Sequence, residues 1–195
     1  MSTVEMGTDD MGTDDMDTVE LHNRCFAFEA DFSGDLRCLP MAVRRKLDLA
    51  GVKLKLVHWQ HLGLEDRARL LAWQDNPGAL AQLRAWLLER GENLPQGPVR
   101  LLEERGPWPW QNGQALPEVL LQACEQLQLP VPTAVQWGQL DALQRFALVK
   151  LSHPGHEHRN LPRALAEFGL LDDTLATGDS ATEPGGTDGA FPNGQ

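Results

Sequence analysis

The chain has 195 residues, enough for one domain, and a net charge of −11 that sits almost wholly in its ends. Residues 1–20 hold seven acids and no base, residues 171–195 five acids and no base, while the body between them has 16 acids against 17 bases. A near-neutral body gives no reason to expect nucleic acid or an anionic membrane as partner, and the sequence has neither an apolar run long enough to span a bilayer nor a basic-then-apolar secretory leader.

Met-Gly-Thr-Asp-Asp occurs twice in tandem, at 6–10 and 11–15, and the last segment is rich in Gly, Thr, Asp and Pro. Neither can bury enough apolar area to offset the entropy of ordering, so both are expected to be disordered acidic tails, 1–20 and 172–195, around a folded domain at 21–171. Cys25, Cys38 and Cys124 are an odd set without short metal-ligand spacing, which fits free thiols in a reducing, cytoplasmic setting.

In the body, Phe26, Phe28 and Ala30 alternate at period two, predicting a short strand or an extended arm over 22–33. Pro40 suits the first turn of a helix that runs to about Ala50 and stops at Gly51. On that helix Val43, Leu47 and Ala50 share a face, and Arg44, Arg45 and Lys46 lie away from it. Val52–Leu56 alternates as a short strand or a tight loop. Leu64–Gln74 reads as a helix with Leu64, Ala68 and Leu71 on one stripe; Asn76-Pro77-Gly78 reads as a turn. A further helix to about Arg90 carries Leu80, Leu83, Trp86 and Leu87.

Residues 92–116 are broken by four prolines into a long loop, whose Trp108 and Trp110 either cap a core edge or bind a ligand. Helices are predicted at 117–128, at 138–151, and from Pro162 to Gly169. The pattern is mainly α: an irregular bundle of about six helices, with at most a small β element near 25–32 and 52–56.

The His153-Pro154-Gly155-His156-Glu157-His158 turn brings imidazoles close enough for a divalent metal, but a second ligand pair is lacking, so a hydrogen-bonded turn is the simpler reading. Arg159 and Asn160 precede a helix and could hold an anion; Asn160 as an ordinary N-cap explains the residue more cheaply. The basic run Arg37, Arg44, Arg45, Lys46, Lys53 and Lys55 is compensated by Asp35 and Asp48, and suits an acidic protein surface better than nucleic acid. Cys38, flanked by this cationic run, is a candidate reactive thiol or an inert buried one. Nucleophile-elbow, P-loop, His-Glu-x-x-His and Cys-x-x-Cys motifs are missing, and so is tyrosine.

The strings Phe28-Glu-Ala-Asp-Phe, Leu36-Arg-Cys-Leu-Pro-Met-Ala-Val-Arg-Arg-Lys-Leu-Asp, Gly51-Val-Lys-Leu-Lys-Leu with Trp59, Arg145 through Asn160, and Glu167-Phe-Gly resemble the nitrate reductase-associated protein family. The resemblance spans about 25–75 and 137–170, leaving both acidic tails outside. It implies a protein of chiefly cyanobacterial occurrence, encoded near genes for assimilatory nitrate reductase and molybdenum cofactor synthesis. It further implies a non-catalytic accessory or assembly role toward molybdenum-dependent nitrate reductase in nitrate assimilation, with no cofactor or metal of its own. A binding protein for a molybdopterin-type cofactor or another anion is the alternative, and an enzyme using Cys38 or His156 a third. The family's third block more often has Arg and Asn where this chain has His153 and His158, which leaves only His156 in the shared motif and weakens the metal reading. The residues expected to meet a partner are therefore Arg37, Cys38, Arg44, Lys46, Lys53, Lys55 and Trp59, together with Pro154, Gly155, His156, Glu157, Arg159 and Asn160.

Overall fold

The computed structural model describes residues 22–171, except 96, 104, 105, 155–158 and the side chain of Phe32. A 3-10 turn at Ala27–Glu29 leads into the single-turn helix α1 (Ala30–Ser33). Then come α2 (Met41–Ala50), β1 (Val52–Lys53), α3 (Leu56–His61), α4 (Leu64–Ala72) and α5 (Pro77–Arg90). After β2 (Arg100–Leu101) and a second 3-10 turn (Pro109–Gln111) follow α6 (Glu118–Gln126), α7 (Ala134–Gln139), α8 (Ala142–Ser152) and α9 (Asn160–Glu167). Among the described residues six helices have eight residues or more, in line with the number expected. The strands form one antiparallel ribbon, with Val52 opposite Leu101 and Lys53 opposite Arg100.

Helix α8 is the centre of the larger core. Leu143, Phe146, Ala147, Leu148, Val149 and Leu151 are all buried, so the helix is covered nearly all round by α2, α6, α9 and the Pro109–Gln111 turn. The helix expected over 138–151 is in fact two. Leu140 is extended, and Asp141 begins α8 as a capping box: its carboxylate accepts from the Leu143 and Gln144 amides while Gln144 accepts from the Asp141 amide. Likewise Asn76-Pro77-Gly78 is the cap and first turn of α5 rather than a separate turn, with the Asn76 side chain accepting from the Ala79 amide.

A second core, built from Leu39, Val43, Leu47, Trp59, Leu70, Leu83, Leu87 and Val99, lies on the other flank of α2. Helix α2 divides the two: Met41 and Ala42 face the α8 core, and Val43, Leu47 and Ala50 face the second. Gly51, with φ of 67°, ends α2 in the left-handed region that favours glycine and turns the chain into β1. On α4 the buried position is Leu70; of the expected 64/68/71 stripe, Leu64 and Ala68 are exposed and only Leu71, half-buried, packs against the cores.

The basic residues of α2 do not lie on a free face. Lys46 is 1 % exposed and Arg45 7 %. Lys46 donates to the Asn23 side chain and to the Leu71 carbonyl, Arg45 pairs with Asp75 at 2.6 Å and stacks over Trp110, and Arg44 donates to the Leu39 carbonyl. Covering on both flanks forces these long side chains to find partners inside the fold.

Residues 26–29 are not a strand. Three of their amides are taken by two carboxylates: Glu29 accepts from Phe26 (3.0 Å), and Glu167 from Ala27 and Phe28 (2.8 Å each); Glu29 also accepts from Met41 (2.9 Å), the first amide of α2. Phe26 and Phe28 then stack at 5.4 Å and meet Phe168 edge-on, joining the two ends of the described chain. Among the described residues the only strands are the two of the ribbon. Burial pushes the Glu29 carboxyl up, against the downward pull of its two amide donors.

Two outcomes follow. In Glu29→Gln a side-chain NH₂ must face a buried amide donor, and the urea midpoint should fall by an amount equal to about 1–3 kcal/mol of stability. Burial pulls the Lys46 ammonium down to about 8 from its ordinary 10.5, so between those values the unfolded chain binds more protons than the folded one. Stability from Lys46 therefore rises as pH increases through that window, and Lys46→Met should flatten the difference between urea midpoints measured at about pH 7.5 and 9.5.

Candidate functional site

One candidate site among the described residues is a groove beside the ribbon. The geometry starts at Gly51, whose carbonyl accepts from the Leu102 amide at 3.0 Å and so extends the pairing of β1 with β2. Val52 and Val99 anchor the two strands by burial, and Gly91 lets α5 close on Val99, since a Cβ there would sit 2.2 Å from a Val99 methyl. Lys53 and Arg100 are held directly opposite each other, and both are exposed.

Two adjoining hollows, of about 330 and 480 Å³, share Asp48, Lys53, Leu102 and Lys150. The first adds Arg44, Leu47 and Leu56; the second adds Arg100, Leu101, Glu103 and Trp108. Lys150, from α8, reaches Asp48 of α2 at 2.7 Å with its ammonium over the Phe146 ring, so the floor of the groove is itself an ion pair between two packed helices. Among the described residues four cations and two acids line the walls, and Leu56 and Leu101 remain 45 % and 42 % exposed at the rim.

The partner-binding candidates divide sharply. Arg44 and Lys53 line the groove, and Lys55 is exposed just beyond it. Arg37 is exposed and paired with Asp35 at 2.7 Å, outside the groove. Cys38 is a half-buried free thiol; burial pushes the thiols of Cys25 and Cys124 up. Lys46 and Trp59 are not surface residues, which corrects the expectation for both. Lys46 is held inside by its polar partners, and Trp59 is fully buried with its indole N–H donating to the Leu36 carbonyl at 2.7 Å.

Pro154 is exposed; Gly155, His156, Glu157 and His158 lie outside the described residues. Asn160 is not an N-cap. Arg159 already has helical dihedrals, which makes Asn160 the first residue of α9. Among the described residues no group of three His, Cys, Asp or Glu is placed to hold a metal ion, and no helix is long and apolar enough to cross a membrane.

Sequence reasoning did not join Arg100, Trp108 and Lys150 to the basic run, because they come from three distant segments. Trp110 caps a core edge, packing edge-on against Phe146 at 5.4 Å, whereas Trp108 forms part of the groove wall.

These features define a mainly helical protein carrying a mixed cationic and apolar groove beside a two-stranded ribbon. Residues 25–168 match the family of conserved nitrate reductase-associated proteins, and the chain belongs to that family. No curated protein and no solved structure matches it.

The groove floor can be tested directly. A double-mutant cycle of Asp48→Ala and Lys150→Ala, read by urea denaturation, should return a favourable coupling of roughly 1 kcal/mol that shrinks in high salt.

Proposed function

We propose that this protein is a non-catalytic, cytoplasmic accessory factor that binds molybdenum-dependent assimilatory nitrate reductase and supports its maturation or activity. The observation that carries this reading is membership of the nitrate reductase-associated family over most of the chain. The surface adds a physical route. Lys53, Lys55 and Arg100 sit exposed among Leu56 and Leu101, a mixture of charge and apolar rim that suits recognition of another polypeptide. Residues 153–160, which follow directly from the helix that carries Lys150, are the second part of the proposed contact surface.

A strain lacking the protein should grow normally on ammonium and poorly on nitrate, with nitrate reductase activity lost from its extracts. Tagged full-length protein should co-purify nitrate reductase, and the Lys53→Glu/Arg100→Glu variant should capture it roughly tenfold less well. Unchanged nitrate reductase activity in the deletion strain would overturn the proposal.

A further inference from the structure

The ribbon contains a local electrostatic conflict. Lys53 and Arg100 are opposite one another in register, line the same hollow, and neither makes an ion pair among the described residues. Like charges facing across a strand pair are unfavourable unless something neutralises them. Among the described residues the nearby acids do not suffice: Asp48 is engaged by Lys150, and Glu103 is one exposed carboxylate on the same wall. Beside the cations lie the exposed apolar side chains of Leu56 and Leu101.

The tandem Met-Gly-Thr-Asp-Asp repeat has the complementary chemistry. Each copy sets two adjacent carboxylates, Asp9-Asp10 and Asp14-Asp15, a few residues from a methionine, and residues 1–20 contain no base. The chain enters the described fold close by. Asn23 touches Lys46 on one flank of α2, and Arg44 and Asp48 line the groove from the other flank of the same helix. The α2 wall of the groove, Arg44 and Asp48, lies of the order of one helix diameter, roughly 10–12 Å, from the Asn23 side of the helix. Six residues separate Asp15 from His22, and the seven steps between them can span up to about 24 Å, with a longer reach from Asp9-Asp10.

We infer that the acidic segment 1–20 docks in cis on the Lys53–Arg100 groove, its aspartate pairs neutralising the two cations and its methionines meeting Leu56 and Leu101. The segment thereby competes with any acidic partner surface for the same groove.

The test is carbodiimide coupling of the isolated full-length protein, with crosslinked peptides identified by mass spectrometry. Lys53 should couple to Asp9, Asp10, Asp14 or Asp15, and the yield should fall roughly tenfold between 20 mM and 1 M salt, as expected for a screened contact. Coupling of Lys150 to Asp48 serves as the internal reference for a folded groove. Arg100→Gln should lower the Lys53 coupling several-fold and leave the reference unchanged. An equal mixture of light and heavy isotope-labelled protein reports whether the contact is within one chain. Light-heavy products at Lys53 would assign the groove to a second copy. Coupling to Asp172, Asp173 or Asp179 would assign it to the other tail, and a strong reference without any Lys53 product would leave the groove open. Each of these three results overturns the inference. The experiment contains no nitrate reductase, so its outcome is independent of the proposed accessory role.

Discussion

Helix α2 is packed on both flanks, and most of the molecule follows from that. A helix between two cores has little solvent-facing surface for charge, yet α2 carries Arg44, Arg45, Lys46 and Asp48 in one turn and a little more. Each has a partner elsewhere: the Leu39 carbonyl, Asp75, Asn23 with the Leu71 carbonyl, and Lys150. These contacts tie α2 to the N-terminal arm, to α4 and the loop after it, and to α8. A buried charge is tolerated only when its partners are held in place, so the charged run makes the relative position of the two cores specific as well as stable.

Glu29 and Glu167 do the equivalent job at the chain ends. Two carboxylates satisfy three amides of an irregular segment that has no ladder partner of its own, and the first amide of α2. Because one of them comes from α9, the first and last described elements become parts of a single core around Phe26, Phe28 and Phe168. This arrangement also positions α9 against α8, the helix whose Lys150 forms the groove floor.

The groove gathers what these two constraints leave over. Arg44 and Asp48 reach it from α2, Lys150 from α8, Lys53 from β1, and Arg100, Leu101 and Trp108 from the long loop between α5 and α6. Its charge excess arises where the ribbon register sets Lys53 against Arg100. This member of the nitrate reductase-associated family thus carries, beside its ribbon, an open groove that combines cationic walls with exposed leucines.

Local sequence determined the predominance of helix, the span of α2 with its glycine stop, the separation of acidic ends from a neutral body, and the family itself. Those features depend on nearest neighbours, on 3.6-residue periodicity, or on strings of residues read in order. It also contained the Thr133-x-x-Gln and Asp141-x-x-Gln boxes that divide α7 from α8, a signal hidden by the continuous apolar pattern around Leu140. The tertiary structure alone decided that Lys46 and Trp59 are interior and that Phe26 and Phe28 belong to a 3-10 turn. It also decided that Arg100, Trp108 and Lys150 share a groove with Lys53. In each case the deciding partner lies far along the chain, as with Glu167 for Phe28, and periodicity carries no information about a partner of that kind.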